Sequence, residues 1–307
     1  MGRRKRGNPV HGWVILDKPQ GMTSTQAVGV VRRLYDAQKA GHAGTLDPLA
    51  TGVLPIALGE ATKTVPFAVD GAKAYRFTVR WGAGTNTDDA EGEVVETSAA
   101  RPSQGEIEAL LGQFVGDILQ VPPAFSALKI DGERAYDLAR SGETVVLDAR
   151  PVVIDRLDLI EMPDADSAVF EAACGKGTYV RALARDLGRQ LGCFGHVIEL
   201  RRTRVGTFDV EGATSLDELR QAAEQQDGGA ELAARLHPIE AALEDLLEVN
   251  VSRADAARLI RGQPVLLRGR DAPILVGEAF AVSDGTVVAL CEVAAGELRP
   301  NRVFNYG

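Results

Sequence analysis

The spacing of apolar residues predicts a mixture of helices and strands. A helix is expected to begin at Ser24, because the residues after it place apolar side chains on one face at helical spacing. That face consists of Ala27, Val30, Val31, Leu34 and Tyr35. Alternation of apolar and polar residues over 75–81 instead predicts a half-buried strand. Strands and helices follow without a regular repeat, so we predict an α+β fold with a mixed, largely antiparallel sheet flanked by helices.

Other segments carry equally local signals. The apolar run 10–16 predicts a short strand, and a capping box at Ser103 predicts the start of a helix. Apolar residues at helical spacing from Val180 predict another amphipathic helix. Residues 82–92 are rich in Gly, Thr, Asn and Asp, which predicts a loop. The acidic cluster 88–91 within it is interpreted as a solvated turn and not as a metal site, because no histidine accompanies it.

The character of the chain changes near residue 248. Several short apolar strands follow, and Asp284 and Gly285 form a hairpin-turn signal between two of them. This is the pattern of a small β-barrel. We therefore divide the chain into a flexible basic tail over 1–9, a main domain over 10–247 and a small domain over 248–307.

Composition narrows the class of protein. Of the 307 residues, 45% are hydrophobic and 25% are charged, which is usual for a globular protein. No apolar run is long enough to span a bilayer, and the basic start lacks the apolar core of a signal peptide. Cys174, Cys193 and Cys291 have no metal-ligand spacing, so they are interpreted as reduced thiols of a cytoplasmic protein. Neither a membrane nor a metal is an expected partner.

The net charge of -9 is unevenly distributed along the chain. Residues 205–248 carry eleven acidic and two basic residues, which accounts for the whole negative excess. Residues 174–204 carry seven basic and two acidic residues, and residues 1–63 carry nine basic and four acidic residues. A surface of mixed sign can bind phosphate on one face. We therefore predict an RNA-binding face formed by the two basic segments.

The loop 42–54 is the strongest candidate for chemistry. Its one carboxylate, Asp47, lies between Leu46 and Pro48. Glycines on both sides allow a substrate and the backbone to approach closely. Such a loop can hold one acid beside an apolar wall. The residues alone nevertheless favour Asp47 as a helix cap over a catalytic acid, since aspartate is a common cap.

Five motifs in order along the chain resemble those of the TruB family of tRNA pseudouridine synthases. They are DKPQGMTS from Asp17, GTLDPLATGVL from Gly44, KAYR from Lys73, GKGTYVR from Gly175 and HVIELRR from His196. The resemblance implies a pseudouridine synthase fold with an insertion over about 120–150 that covers RNA, and a PUA-like RNA-binding domain over 248–307. It also implies isomerisation of uridine to pseudouridine at position 55 in the T-loop of tRNA. That reaction involves no net redox change or phosphate transfer, so no cofactor is required.

The same resemblance assigns three catalytic residues. Asp47 is the expected nucleophile, as carboxylates are in glycoside chemistry. Arg181 is its expected cationic partner, whereas the residues alone favour an ordinary surface arginine. The target base must leave its stack before it reacts, and Tyr75 is the expected ring that stacks on it. By itself, Tyr75 could equally be a half-buried strand tyrosine.

Four further residues are expected to bind substrate. Tyr179 is the expected second ring, with a hydroxyl able to bridge to Asp47 or the base. Leu200 is expected to pack against the uracil, although a lone leucine usually belongs to a core. His42 is expected to insert into the RNA and not to act as an acid or base. Lys18 is the candidate contact to a phosphate or to the backbone near the loop.

Alternative functions remain open from the sequence. One is a guide-RNA-dependent synthase acting on ribosomal RNA, and another is a tRNA-binding or tRNA-folding protein in which the chemistry is secondary. The presence of Asp47, Tyr75, Tyr179 and Arg181 favours an enzyme. The favoured hypothesis is a stand-alone, monomeric enzyme that binds the T-arm of tRNA and needs no obligate protein partner.

Overall fold

The computed structural model describes residues 7–126, 128–130, 133–134, 147–267 and 276–306. Most of the predicted basic tail and the central part of the predicted RNA-covering insertion lie outside these residues. The strands are β1 (Gly12–Lys18), β2 (Ala40–His42), β3 (Thr51–Leu58), β4 (Lys73–Trp81), β5 (Ala83–Thr85), β6 (Val94–Thr97), β7 (Gly116–Gln120), β8 (Lys129–Ile130), β9 (Glu133–Arg134), β10 (Arg150–Asp164), β11 (Ser167–Cys174), β12 (Gly195–Val205), β13 (Phe208–Asp209), β14 (Thr214–Ser215), β15 (Leu247–Asn250), β16 (Val265–Leu266), β17 (Gly277–Ser283), β18 (Thr286–Ala294) and β19 (Glu297–Val303). The α-helices are α1 (Ser24–Leu34), α2 (Val65–Asp70), α3 (Gln104–Leu111), α4 (Val180–Gln190), α5 (Leu216–Glu224), α6 (Gly228–Ala233) and α7 (Arg253–Ile260). Short 3-10 helices span Gly59–Lys63, Gly112–Phe114 and Ile239–Ala242.

A ten-stranded mixed sheet forms the main body. Its strands follow the order β14-β1-β3-β12-β4-β11-β10-β7, with β2 on β3 and β13 on β12. All pairs are antiparallel except β1 with β14 and β3 with β12. The predicted α+β class with a mixed, largely antiparallel sheet is therefore confirmed.

Alternation along β1 assigns the two faces of this sheet. Val14 and Leu16 belong to the core that also contains α1 and α4, whereas Trp13 and Ile15 belong to the core on the opposite face. The predicted strand over 10–16 is displaced by two residues. The reason is that every residue from Gly12 to Lys18 pairs with β3.

The predicted helices begin where the local signals place them. Helix α1 begins at Ser24, and the capping box that fixes its start is made by Thr23 and Gln26. Ala27 and Val31 on its predicted face are fully buried. The capping box at Ser103 and the amphipathic helix from Val180 are also present.

Residues 82–92 differ from the prediction of a solvated loop. Ala83–Thr85 pairs with β6, so part of the segment is a strand. Asp88 and Asp89 are buried, with relative exposures of 9% and 3%. The solvated-turn interpretation is wrong for these two residues because arginines of α4 pair with both carboxylates, whereas Ala90 and Glu91 are exposed.

A separate five-stranded sheet, in the order β15-β17-β18-β19-β16, lies at the C-terminal end. Asp284 and Gly285 both have positive φ angles, of 51° and 73°, in the predicted hairpin turn. Apolar residues of this sheet, including Phe280, share a buried cluster with Trp13 of β1. In the described part of the chain, no helix has both the length and the apolar character needed to cross a membrane.

Candidate active site

The loop that carries Asp47 joins β2 to β3 at one end of the main sheet. Ser24 at the start of α1 accepts a hydrogen bond from the N–H of Leu46 (2.9 Å) and donates one to its carbonyl (3.0 Å). The N–H of Gly21 donates to the carbonyl of Pro48 (2.8 Å). The element after the loop is β3 and not a helix, so the interpretation of Asp47 as a helix cap is wrong.

Arg202 holds the other side of this loop from within the sheet. Its side chain is fully buried, and its guanidinium donates to the carbonyls of Val53 (2.8 Å), Gly44 (3.0 Å) and Thr45 (3.2 Å). A Cβ at Gly52, where φ is 99°, would lie 2.2 Å from the carbonyl oxygen of Arg202. Only glycine fits this close approach between the loop and β12.

Asp47 and Arg181 form an ion pair with unequal exposure. The Nε of Arg181 lies 3.0 Å from an Oδ of Asp47; the arginine side chain is 7% exposed and the carboxylate 39%. Arg181 also pairs with Asp89 at 3.3 Å and donates to the carbonyls of Thr87 and Phe125, both at 2.9 Å. Three partners thus fix Arg181, which orients a carboxylate that remains open to a ligand.

Lys18 lies beneath the loop with no exposed surface. Its ammonium group donates to the carbonyls of Met22 (2.7 Å), Pro19 (2.8 Å) and Pro48 (3.4 Å). Burial lowers the pKa of Lys18 to about 8, and the nearby charge of Asp47 opposes that shift. The contacts of Lys18 are therefore with the backbone around the loop.

Two tyrosines lie near the carboxylate. Tyr75 on β4 is half-buried and pairs in register with Arg202 of β12. Tyr179 comes directly before α4, two residues from Arg181. Burial raises the pKa of both phenols, and the charge of Asp47 adds to each shift. Both rings are therefore neutral at physiological pH.

His42 and Leu200 complete the predicted set. His42 ends β2, and its buried Nδ1 has no hydrogen-bond partner among the residues with described positions. Burial, followed by the charge of Arg202, lowers the pKa of His42, so its imidazole is neutral at pH 7. Leu200 is 7% exposed and belongs to the same apolar cluster as Leu46 and Leu49.

Sequence reasoning missed several residues that position the site. Ser24, Arg202 and Asp89 were not predicted, although each lies in or beside a motif or an acidic cluster that was noted. A second missed pair joins Arg185 to Asp88 at 3.0 Å. Burial raises the pKa of Asp88 to about 6, while the charge of Arg185 opposes that rise. The signal that could have found these pairs is two adjacent acids and two arginines spaced by four residues.

Comparison with known proteins identifies the class. Residues 32–180 match the family model of the TruB family pseudouridylate synthase N-terminal domain, and residues 181–244 match that of the tRNA pseudouridylate synthase B C-terminal domain. A chain in the crystal structure of a Cbf5–Nop10–Gar1 complex has a TM-score of 0.75 and 26% identity, covering 96% of this chain and 85% of that one. The fold and the family models define a pseudouridine synthase.

Curated relatives narrow this assignment. The tRNA pseudouridine synthase B of Bradyrhizobium diazoefficiens is 59% identical over 303 residues, which cover 98% of this chain and 88% of that protein. That of Dinoroseobacter shibae is 57% identical over 308 residues, covering 100% and 99% respectively. The chain belongs to the TruB family. The boundary between its two family models falls inside the active site, between Tyr179 and Arg181.

Proposed function

We propose that this chain converts uridine to pseudouridine at position 55 in the T-loop of tRNA, with Asp47 as the nucleophile. The observation that carries the proposal is the ion pair of Asp47 with Arg181, in which only the carboxylate is accessible. The N1–C1′ bond breaks, the uracil rotates and a C5–C1′ bond forms. N1 gains a proton and C5 loses one, so the isomerisation balances without a co-reactant. Attack on the ribose, attack on uracil C6 and removal of a ribose proton all require an ionised Asp47 in contact with the nucleoside.

The neighbouring side chains fit complementary roles toward a flipped base. Tyr75 stacks on the uracil, Leu200 packs against it and Tyr179 supplies a neutral hydroxyl near the carboxylate. The neutral imidazole of His42 inserts into the RNA as the base leaves its stack. These roles rest on the family resemblance together with the position of each residue around the loop.

Of the two contacts expected for Lys18, we retain the one with the backbone near the loop. A phosphate contact needs an accessible ammonium group, and Lys18 is fully buried with three carbonyl acceptors. We therefore propose that Lys18 holds the loop in place and does not bind phosphate. Phosphate contacts then come from accessible arginines in the basic segments, such as Arg33 and Arg204.

We further propose that the enzyme acts as a monomer in the cytoplasm, without a guide RNA or an obligate protein partner. Relatives with 57–59% identity carry the name of a tRNA enzyme, whereas the Cbf5 chain, whose structure is that of a multiprotein complex, is 26% identical. In this proposal, the described part of residues 248–307 belongs to a PUA-like unit that adds RNA contacts. Arg253 and Arg299 are exposed there, paired with Asp284 and Glu297, and in this proposal they exchange those partners for RNA phosphates.

The decisive experiment measures tritium release from tRNA transcript labelled at uracil C5, without added metal or nucleotide. Wild type is expected to release tritium, and Asp47→Asn is expected to release none while binding tRNA within about threefold of wild type. A transcript with cytidine at position 55 is the matched control. Binding without release by wild type would instead favour a guide-dependent enzyme or a tRNA-folding protein.

The proposed phosphate-binding face has its own test. Because released counterions drive binding to phosphates, the affinity for tRNA is expected to fall at least about tenfold between about 50 and 200 mM salt, despite the acidic net charge. A flat salt response would contradict the proposed face.

A further inference from the structure

The helix that carries Arg181 begins without a cap of its own. In α1, α3 and α5, the residue at the third helical position accepts a hydrogen bond from the N–H of the cap residue. Those bonds run from Thr23 to Gln26 (2.9 Å), from Ser103 to Glu106 (2.8 Å) and from Ser215 to Glu218 (2.7 Å). In α4 the third position is Ala182, and the cap residue Tyr179 makes no side-chain capping bond. The helix therefore needs its acceptor from elsewhere.

Gln120, the last residue of β7, supplies this acceptor. Its Oε1 accepts the N–H of Tyr179 at 2.8 Å, and its Nε2 donates to the carbonyl of Tyr179 at 3.2 Å. Gln120 is 2% exposed, and Tyr179 is extended, with φ of −107° and ψ of 111°. A carboxamide has the donor and acceptor of a peptide group. Gln120 thus pairs with Tyr179 as a neighbouring strand would.

We propose that Gln120 is a positioning residue for the pseudouridine synthase reaction. It fixes the main chain of Tyr179, and so the first turn of α4, from which Arg181 reaches Asp47. A second link supports this, because Arg181 itself donates to the carbonyl of Phe125, five residues after Gln120. The end of β7 is therefore joined to the helix start at Tyr179, and the segment that follows β7 is joined to it at Arg181. This inference rests on the proposed function, since the consequence of the link is the geometry of the ion pair.

The first test replaces Gln120 with methionine, which has similar length but cannot make either hydrogen bond. The single-turnover rate on tRNA is expected to fall about 10²-fold, the effect of a misplacement of order 1 Å at a reacting group. The dissociation constant for tRNA is expected to change less than about threefold, because the link acts on the catalytic pair. A rate equal to that of wild type would overturn the proposal.

The second test distinguishes positioning from a general loss of packing. In Gln120→Glu, an ionised carboxylate accepts the N–H of Tyr179 but repels its carbonyl, whereas a protonated one donates to that carbonyl. Burial raises the pKa of such a carboxyl group. The ratio of wild-type to variant rate is therefore expected to fall at least about fivefold as the pH decreases from about 8 to about 5.5. Circular dichroism at each pH establishes that the variant is folded.

The matched control is Gln190→Glu, the same substitution at the exposed far end of α4, about 15 Å along the helix. The ratio of the wild-type rate to the Gln190→Glu rate is expected to stay near one at every pH. A folded Gln120→Glu variant with a pH-independent ratio would overturn the proposal. If wild type itself releases no tritium from tRNA, the proposed function fails. An active wild type with unaffected Gln120 variants rejects the positioning role alone.

Discussion

The catalytic loop and the C-terminal sheet differ in how far their peptide groups depend on side chains for hydrogen bonds. Around residues 44–50, the peptide groups bind buried side chains from distant segments, namely Lys18, Ser24 and Arg202. In the C-terminal sheet, by contrast, most peptide groups of β18 pair with those of β17 and β19, and side chains bind only single carbonyls, as Lys63 does at Val303 and Tyr306 at Val287.

The difference has an energetic consequence. Removing a side chain that binds buried peptide groups leaves those groups without a partner, at a cost of about 1–3 kcal/mol each. Removing an apolar side chain from the sheet leaves every main-chain bond in place and costs only packing. The loop is thus more specific in shape and more sensitive to single changes that leave the fold intact.

Arg202→Lys is expected to have the largest effect, since an ammonium group cannot bind three carbonyls in the fork geometry of a guanidinium. We expect the single-turnover rate to fall about 10²-fold and the free energy of unfolding to fall by about 3 kcal/mol in urea denaturation. The neighbouring Arg201→Lys is the control for stability, because Arg201 pairs with Asp17 with side-chain exposures of 40% and 33%. Its cost is expected to be about 1 kcal/mol or less. Equal losses of stability would contradict the proposed difference.

Ser24→Ala removes both hydrogen bonds to Leu46 without altering any apolar contact of α1. The expected result is a rate about tenfold lower and a free energy of unfolding lower by about 1–3 kcal/mol. Ser103→Ala also loses two hydrogen bonds, but these are exposed bonds to Glu106 within the start of α3, so it should cost about 1 kcal/mol with an unchanged rate. Comparable rate losses in both variants would show that the loop is not the sensitive region.

The titration of Asp88, beside the catalytic loop's ion pair, makes the free energy of unfolding depend on pH. Its pKa in the folded state is about 6, above the ordinary value of 3.8, because burial outweighs the charge of Arg185. The folded state therefore binds more protons than the unfolded state between these values, and the free energy of unfolding falls as pH rises through that window.

Asp88→Asn does not titrate, so its stability relative to wild type is expected to increase by roughly 2 kcal/mol between about pH 4 and 6. Urea denaturation across this range measures the change. The rate at pH 7.5 is expected to stay within about threefold of wild type, since Asp88 pairs with Arg185 and Arg181 keeps its own partners. A relative stability that decreases with pH would mean that the pair with Arg185 outweighs burial.

Leu298→Ala tests the C-terminal sheet and is expected to have the smallest effect on turnover. Leu298 is fully buried in β19, and its truncation should lower the free energy of unfolding by about 2–5 kcal/mol without changing the rate at 25 °C. Leu54→Ala, equally buried in β3 next to the catalytic loop, should cost similar stability and also slow the rate. If Leu298→Ala slows a fully folded enzyme, the C-terminal sheet is coupled to the site.

Features whose determinants lie close together in the sequence were predicted, whereas features that depend on distant residues were not. The apolar face of α1 and the hairpin at Asp284 and Gly285 were predicted because their determinants lie within a few residues of one another. Asp88 and Asp89 were misassigned because their local sequence is that of a solvated turn. The arginines that pair with them lie about 95 residues later in the chain. Asp47 itself was interpreted as a helix cap from local chemistry, and only the family resemblance pointed to catalysis.

The order of strands in the main sheet also has a consequence for synthesis. Strand β12 lies between β3 and β4, although both neighbours are made more than a hundred residues earlier. On the ribosome, the facing edges of β3 and β4 remain open until residue 205 emerges, which makes them pairing sites for other chains. Arg181, Leu200 and Arg202 emerge late as well, so a nascent chain carries Asp47 long before its cationic partner Arg181 is made. A truncated product therefore cannot engage the chemistry, and its exposed edges mark it for chaperones and proteases.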